Sequence, residues 1–512
     1  MLLRDSILTA CLLLTFLGAC GADEPVVSEP LPDLPPVVED LRPRGPEAEV
    51  RELTLALSAE LRGEIEPCGC PTLPYGGFRR RATLLSQLDA REGPLFQIDT
   101  GEAFKKGLVH DDNVDLPRAL LIAELLVSAG VDAFVPGPTD VAVLGVDGLA
   151  GLSRKGLPIV SATWVDEDGA SLFPPAIVLE DDGVRVGVIG ISAPADDVEQ
   201  RAPIEAARAA YAGLPTDLDL VVLATNLDES LVDEVTAAVD GIALVAARSG
   251  NATEPMRRVD GAMVLEPPPR GRYLSVVSLR LGSDADEALD DESARAYLGL
   301  VDLRQVKARR LAAGEDVTAQ DERIAEATER LLEAGRGRNL VSLESRPLGS
   351  DLDADSPLAE RVERFKDESL QAAARRVEAT PENDGPTYAT AAACLNCHSR
   401  SLSKWSLTRH AQALEGLRER GQHENPECLA CHTTGFGEPG GFAEVTNAAL
   451  RVWGNVQCEA CHGPMGGHPR DDTVVSPEVT EATCRGCHDQ ANSPGFDFAT
   501  YLPAIEHVGM DQ

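Results

Sequence analysis

Eight cysteines and the histidines beside them define the chemistry open to this sequence. Cys394/Cys397, Cys428/Cys431, Cys458/Cys461 and Cys484/Cys487 are all spaced C-x-x-C, and each pair is followed at once by a histidine: His398, His432, His462 and His488. A disulfide framework has no use for that trailing histidine, and a zinc site would want thiolates in fours without it. A c-type haem uses all three groups. Two thioether bonds hold the porphyrin edge, and the adjacent imidazole reaches the iron from the same turn of backbone. The pattern predicts four covalently bound c-type haems, each with its iron. His410, His423, His468 and His507 lie among the motifs. Imidazole is a frequent second axial ligand, so these are candidates for the opposite faces.

The elements that carry these residues belong to a multidomain chain. Residues 386–512 hold all four motifs and are rich in Gly, Pro and Asn, with few long apolar runs. Porphyrins would supply the apolar mass there, so the expectation is a mainly-α or irregular tetrahaem cytochrome c domain with short helices and little β-structure. Residues 49–285 alternate β-rich runs (53–59, 94–101, 131–137, 157–163, 184–192, 218–225, 241–247) with helical ones (116–130, 230–239). That alternation reads as an α/β domain, and strands of nearly continuous apolar character imply sheets covered on both faces. Residues 286–385 are charged and rich in Ala, Leu, Glu and Arg, which predicts a helical spacer of three amphipathic helices. The "RRR" at 79–81 reads as a solvated helix face.

Composition narrows the partners. The chain has 512 residues, too many for one core, and a net charge of −38. Such a charge excludes a nucleic-acid binder and weakens attraction to an anionic membrane surface. Membrane association then needs an anchor. The stretch "MLLRDSILTACLLLTFLGAC" has Arg4, a short apolar run and small residues before Cys20, which resembles a bacterial lipoprotein signal over residues 1–20. An acidic, Pro-rich tether follows over 21–48. These features predict an exported protein of the cell envelope, on its periplasmic side or at the cell surface, lipidated at Cys20.

The four motifs resemble the tetrahaem cytochrome c-554 family over roughly residues 388–510, through "CLNCHSRSLSKWSLTRHAQAL", "CLACHTTGFGEPGGF", "VQCEACHGPMGGH" and "CRGCHDQANSPGFDFATYLPAIEH". The resemblance implies that His410, His468 and His507 are distal iron ligands. It implies further that His410 faces the haem on Cys458/Cys461, His468 the one on Cys394/Cys397, and His507 the one on Cys484/Cys487. The haem on Cys428/Cys431 would have no distal histidine. The α/β part resembles the calcineurin-like metallophosphatase domain of bacterial 5′-nucleotidases, which implies two sheets packed between helices. Its metal-ligand motifs are depleted. "LSAELRG" lacks Asp and His, and "DTGE" puts Glu102 at the position of a bridging aspartate. "GPTD", "ATNL" with Asn226, and "ARSG" replace the remaining ligand motifs. A dinuclear phosphatase site needs such ligands to converge on two metals. Cys68 and Cys70, in "CGCPTLPYGGFRR", fall on the loop beside that site and are a possible redox pair.

The expectation is a cytochrome that relays electrons to and from redox partner proteins of the cell envelope, with the metallophosphatase-like domain as a docking module. Two alternatives stand beside it. One is an oxidoreductase acting on a small substrate at the five-coordinate haem or at Cys68/Cys70, and the other is a 5′-nucleotidase-like hydrolase.

Overall fold

The structure is a computed structural model, and it describes residues 51–67, 75–90, 93–105, 112–196, 198–248, 256–281, 316–334, 340–378, 387–419, 421–471, 474–488 and 495–507, together with a few single positions between them. The signal with Cys20, the tether, Cys68 and Cys70 lie outside the described residues. No helix among the described residues is long and apolar enough to cross a membrane.

Two sheets lie face to face. The first has five strands in the order β13-β12-β1-β2-β3: Leu340–Pro347, Tyr273–Leu281, Arg51–Ser58, Leu95–Asp99 and Ala133–Phe134. The second has six, β10-β11-β9-β8-β6-β5: Met256–Val259, Ala262–Leu265, Leu244–Ala246, Leu220–Thr225, Val184–Ile191 and Ala176–Asp181. A short pair, β4 (Trp164–Val165) and β7 (Glu199–Gln200), stands apart. Leu55, Leu57 and Val277 of the first sheet share one buried core with Val186, Val222 and Leu244 of the second. That contact explains the apolar runs: each inner face is sealed by the other sheet, and each outer face by helices. Helices α1 (Phe78–Asp89), α2 (Asp112–Ser128) and α3 (Pro138–Arg154) cover the first sheet. Helices α4 (Pro203–Ala212) and α5 (Glu229–Ala238) cover the second. The sandwich of two sheets between helices is thus the observed architecture. The run at 157–163 makes no strand, only an isolated bridge from Ile159 to Phe134.

Two expectations need correction. The region expected to be a helical spacer is more than that. Its helices α6 (Thr318–Ala334) and α7 (Pro357–Glu378) form, but β13 between them pairs antiparallel with β12 and extends the first sheet. Helix α7 also enters the α/β core through Val362 and Phe365. The arginines at 79–81 are not a solvated face. Arg80 and Arg81 are buried; Arg80 pairs with both oxygens of Asp353 at 2.8 and 3.0 Å and reaches Leu348 O at 3.1 Å. Arg81 donates to Ser58 Oγ at 3.0 Å, 3.9 Å from Asp99. Glycine makes the entry to α1 possible: Gly77 has φ 94°, and a Cβ there would lie 2.9 Å from Pro67 Cδ.

The C-terminal part has short helices of four to eight residues and isolated bridges at Thr433–Gly454 and Phe436–Phe442. Its apolar cluster is small, built on Leu414, Leu417, Leu429, Phe436, Phe442 and Leu450 with Ala373 of α7. Leu395, Leu407, Val452 and Val475 are exposed. A segment with so little internal core needs mass from elsewhere.

Candidate functional site

Each C-x-x-C-H begins on a helical turn, in Ala391–Cys394, Pro426–His432, Cys458–His462 and Glu481–Arg485. The expectation of one turn of backbone per motif holds, and at the second and third it is regular helix that encloses Cys431 with His432 and Cys461 with His462. At the first and fourth the turn runs past the helix end. There the helices end at Cys394 and Arg485, so Cys397 and Cys487 lie beyond them, each with its histidine. Backbone bonds carry the turn onward instead. Cys397 N and His398 N both donate to Cys394 O, at 3.3 and 2.8 Å, and Cys487 N and His488 N to Cys484 O, at 3.1 and 2.8 Å. The shared acceptor tightens the turn, and the second cysteine and the imidazole stay beside the first cysteine. The eight cysteines form no disulfides: Cys397 is exposed, while Cys431, Cys487 and the other five are half-buried.

Three of the four motif histidines spend Nδ1 on a fixed partner. His432 Nδ1 lies 2.6 Å from Ala413 O, His462 Nδ1 3.0 Å from Ser476 Oγ, and His488 Nδ1 2.9 Å from Ser493 Oγ. His507 Nδ1 likewise meets Ile505 O at 2.9 Å. A hydrogen bond at Nδ1 fixes the ring and leaves Nε2 for a metal, the arrangement that ligating histidines adopt.

The histidines also pair. The rings of His398 and His468 have centroids 6.4 Å apart, 28° from parallel. His410 and His488 are 5.8 Å apart, and His462 and His507 5.7 Å. Two imidazoles on opposite faces of one iron place their centroids about 6 Å apart, because each metal–nitrogen bond is about 2 Å long. The residues present therefore fit the group. Burial, and then the facing His488, lower the pKa of His410; burial, then His507 and His398, lower that of His462. Both shifts favour the neutral imidazole, the form that binds metals.

His468 stands against His398 as expected. The other two cross-pairings do not match expectation. His410 faces His488 rather than His462, and His507 faces His462 rather than His488. Backbone bonds hold the His410 turn beside the extended approach to the third motif, with Val456 N donating to His410 O at 3.1 Å and Trp405 Nε1 to Val456 O at 2.7 Å, while its ring faces that of His488. His432 meets no facing imidazole among the described residues. His423 is half-buried, its Nδ1 without a hydrogen-bond partner.

Residues that sequence reasoning passed over hold the motifs together. Glu459, one of the two residues between Cys458 and Cys461, is buried and accepts from Ala389 N, Thr390 N and Met465 N at 2.6–2.9 Å. Gln457 accepts from Ala391 N at 2.7 Å and donates to Val452 O and Gly454 O. The first and third motifs are thereby joined, and the thiols of Cys394 and Cys458 lie within hydrogen-bonding reach. The only sequence signal for Glu459 is an acid inside a haem-binding turn.

In the α/β domain, the positions where the metallophosphatase ligands would converge make structural bonds instead. Asn226, fully buried, donates to Thr100 O (2.9 Å) and Val135 O (3.1 Å) and accepts from Ala193 N (2.7 Å), tying the two sheets together. Asp140 accepts from the amides of Glu102, Ala103, Phe104 and Gly137 at 2.8–3.1 Å. Burial, and then Glu102, raise its pKa to about 7. Glu102 takes the Thr139 hydroxyl, and burial raises its pKa too. Arg248, from "ARSG", stands 3.3 Å from Glu60 and 3.3 Å from Asp228. A guanidinium thus answers two carboxylates here. Glu60, Arg62 and Glu102 keep left-handed backbone, φ 50°, 49° and 56°. Gly101 beside them has φ 82°, and a Cβ there would lie 2.1 Å from Val135 O.

Residues 393–463, spanning the first three motifs, match the family described as cytochrome c554 and c-prime. Cytochrome c-554 of Nitrosomonas europaea is 30% identical over 103 residues, which is 17% of this chain and 43% of that protein, so the chain spans less than half the length of this relative. The fold also has solved likenesses. A 5′-nucleotidase precursor from Thermus thermophilus is 18% identical over 47% of this chain and 53% of its own, with a TM-score of 0.39. A calcineurin-like phosphoesterase from Bacillus subtilis is 14% identical over 63% and 99%, with a TM-score of 0.45. These two are loose likenesses of fold and say nothing of activity. The C-terminal segment is similar to a c-type cytochrome, and c-type haem with iron is the cofactor that this similarity implies.

Proposed function

We propose that the protein is an electron-relay cytochrome of the cell envelope with four covalently attached c-type haems. The observation that carries this reading is the set of three histidine pairs held about one iron's width apart beside C-x-x-C motifs. When bound, c-type haem supplies one-electron exchange between ferrous and ferric iron. The chain's own residues do the rest. Cys394/Cys397, Cys428/Cys431, Cys458/Cys461 and Cys484/Cys487 anchor the porphyrins. His398 with His468, His488 with His410, and His462 with His507 would hold three irons, and His432 the fourth. Ala413, Ser476 and Ser493 orient three of the motif imidazoles through Nδ1. The α/β domain serves as a docking module for redox partner proteins, and Cys20 as the lipid anchor that keeps the protein at the membrane. Intact-protein mass after acid–acetone extraction tests the count. Four haems are expected, and a mass of bare polypeptide ends the reading.

His432 without a facing imidazole favours one second reading, an oxidoreductase acting on a small molecule at that iron. Carbon monoxide separates the two. Binding to one ferrous haem is expected in both, but turnover of a small oxidant that competes with carbon monoxide occurs only in the second. Hydrolysis of nucleotides is not expected, since Glu102, Asp140 and Asn226 are engaged in the scaffold.

A further inference from the structure

The haem-binding turn that lacks a facing imidazole is the one built against the α/β domain. Asn425 precedes the helix Pro426–His432, and its carbonyl accepts from Cys428 N at 3.0 Å and Leu429 N at 3.2 Å, so it closes the first turn. Its side chain reaches out of the cytochrome segment and donates to Glu66 Oε2 at 2.8 Å. Glu66 also pairs with Lys366 of α7. Cys428 and Leu429 pack with Leu370 and Ala373 of the same helix. Asn425 is buried, so its bond to a carboxylate is shielded from water.

Glu66 rests on a fixed base. The loop that carries it is pinned to the loop following β2 by Glu60 N to Gly101 O (2.8 Å), Arg62 N to Glu102 O (3.0 Å) and Gly63 N to Ala103 O (2.8 Å). Phe78 N then bonds Ile65 O at 3.1 Å, at the start of α1. The same loop bears Glu60 at the remnant metal site. The carboxylate of Glu66 is therefore held by the α/β scaffold, while the turn carrying Cys428 is short and has little core of its own.

We propose that Glu66, acting through Asn425 and steadied by Lys366, is a positioning residue through which the α/β domain sets the environment of the haem on Cys428/Cys431. This rests on the reading that a haem is attached there. The α/β domain then does more than dock. It holds the attachment helix of the one open iron, so its state is felt at that iron and not at the three held by histidine pairs.

The test uses the ferric and ferrous holoprotein. Asn425→Asp keeps the backbone cap but sets two carboxylates against each other, and Glu66→Ala removes the anchor. Each single variant is expected to change the high-spin ferric resonance signal and to alter the carbon monoxide association rate by at least about twofold, the low end for residues in direct contact. The low-spin signals stay as in the wild type. In the double variant the repulsion is gone, so the two effects do not add. Four haems by mass with an unchanged high-spin signal and rate in both singles overturns the positioning role, even if the unfolding midpoint falls. Fewer than four haems in the wild type, or no high-spin signal, overturns the attachment reading and the inference with it.

Discussion

Replacing Glu459 by Gln should loosen the cytochrome segment by a calculable amount. The carboxylate is 2% exposed and accepts four contacts from three backbone donors: Ala389 N at 2.8 and 2.9 Å, Thr390 N at 2.6 Å and Met465 N at 2.8 Å. One oxygen serves Ala389 and Met465, the other Ala389 and Thr390. A carboxamide offers one oxygen and one NH2 group. In one orientation Thr390 N faces a donor, and in the other Met465 N does. One buried N–H is then unsatisfied and the surviving bonds lose their charge. A hydrogen bond to a charged group contributes about 1.5–3 kcal/mol, and a buried donor left unmet costs about 1–3 kcal/mol, so the expected loss is about 2–4 kcal/mol. Guanidinium unfolding of the holoprotein, followed at the Soret band, reads it as a lower midpoint at unchanged slope. A loss below about 0.5 kcal/mol, smaller than one ordinary hydrogen bond, would falsify the claim that this carboxylate clamps the first motif to the third.

The histidine pairing is tested by counting low-spin haems. His410→Ala combined with His462→Ala should leave one of the three, because these residues serve different irons; two remaining would restore the pairing of His410 with His462. Leu429→Ala, at a fully buried position, should cost about 2–5 kcal/mol in the cytochrome transition, and an unchanged midpoint would mean the small cluster of the segment is not a core. Asp140 gives a pH dependence. Its pKa of about 7 lies above the unfolded carboxylate value, so between roughly pH 4 and 7 the folded state holds the extra proton. Stability of the α/β domain should therefore fall as pH rises from about 4 to about 7, and thermal unfolding that shows a rise over this range contradicts the burial argument. Arg80→Leu removes a two-pronged pair to Asp353 and should lower the α/β transition by about 1.5–3 kcal/mol, with equal midpoints as the contrary result.

What the sequence revealed follows from how local each signal is. A C-x-x-C-H motif is five consecutive residues, so His398, His432, His462 and His488 could be read with their cysteines as candidates from the sequence alone. Where the helix stops inside a motif was not, because Cys397 and Cys487 follow their helix ends by hydrogen-bond geometry that the residue types do not encode. Which distal histidine meets which motif depends on how turns far apart in sequence cross. There the reading by resemblance placed His468 against His398 and exchanged His410 with His507. Apolar runs gave β1, β6 and β8 because both faces of each sheet are covered. The strand β13 was hidden because "LVSLESRP" alternates apolar and polar residues in a charged region, as an edge strand does. Arg80 and Arg81 misled for a different reason. Charge alone marks a residue as exposed, and only the positions of Asp353 and Asp99, contributed by other elements, show that these two are buried as partners.

The same logic separates the two halves of the molecule. Metal ligands must converge with lone pairs free, whereas scaffold residues use their lone pairs on the backbone. In the C-terminal segment four imidazoles turn Nδ1 to a fixed partner and leave the other nitrogen free to bind a metal. In the α/β domain the corresponding groups are used up: Asn226 has both ends bonded across the sheets, Asp140 accepts four amides, and Glu60 is matched by Arg248. Arg248, Asn226 and Asp140 thus spend their polar atoms on the sandwich itself. The left-handed residues Glu60, Arg62 and Glu102 keep the turn in shape, and that turn runs on to Glu66. This loop is the base from which, on the proposal above, the α/β domain holds the Cys428/Cys431 turn.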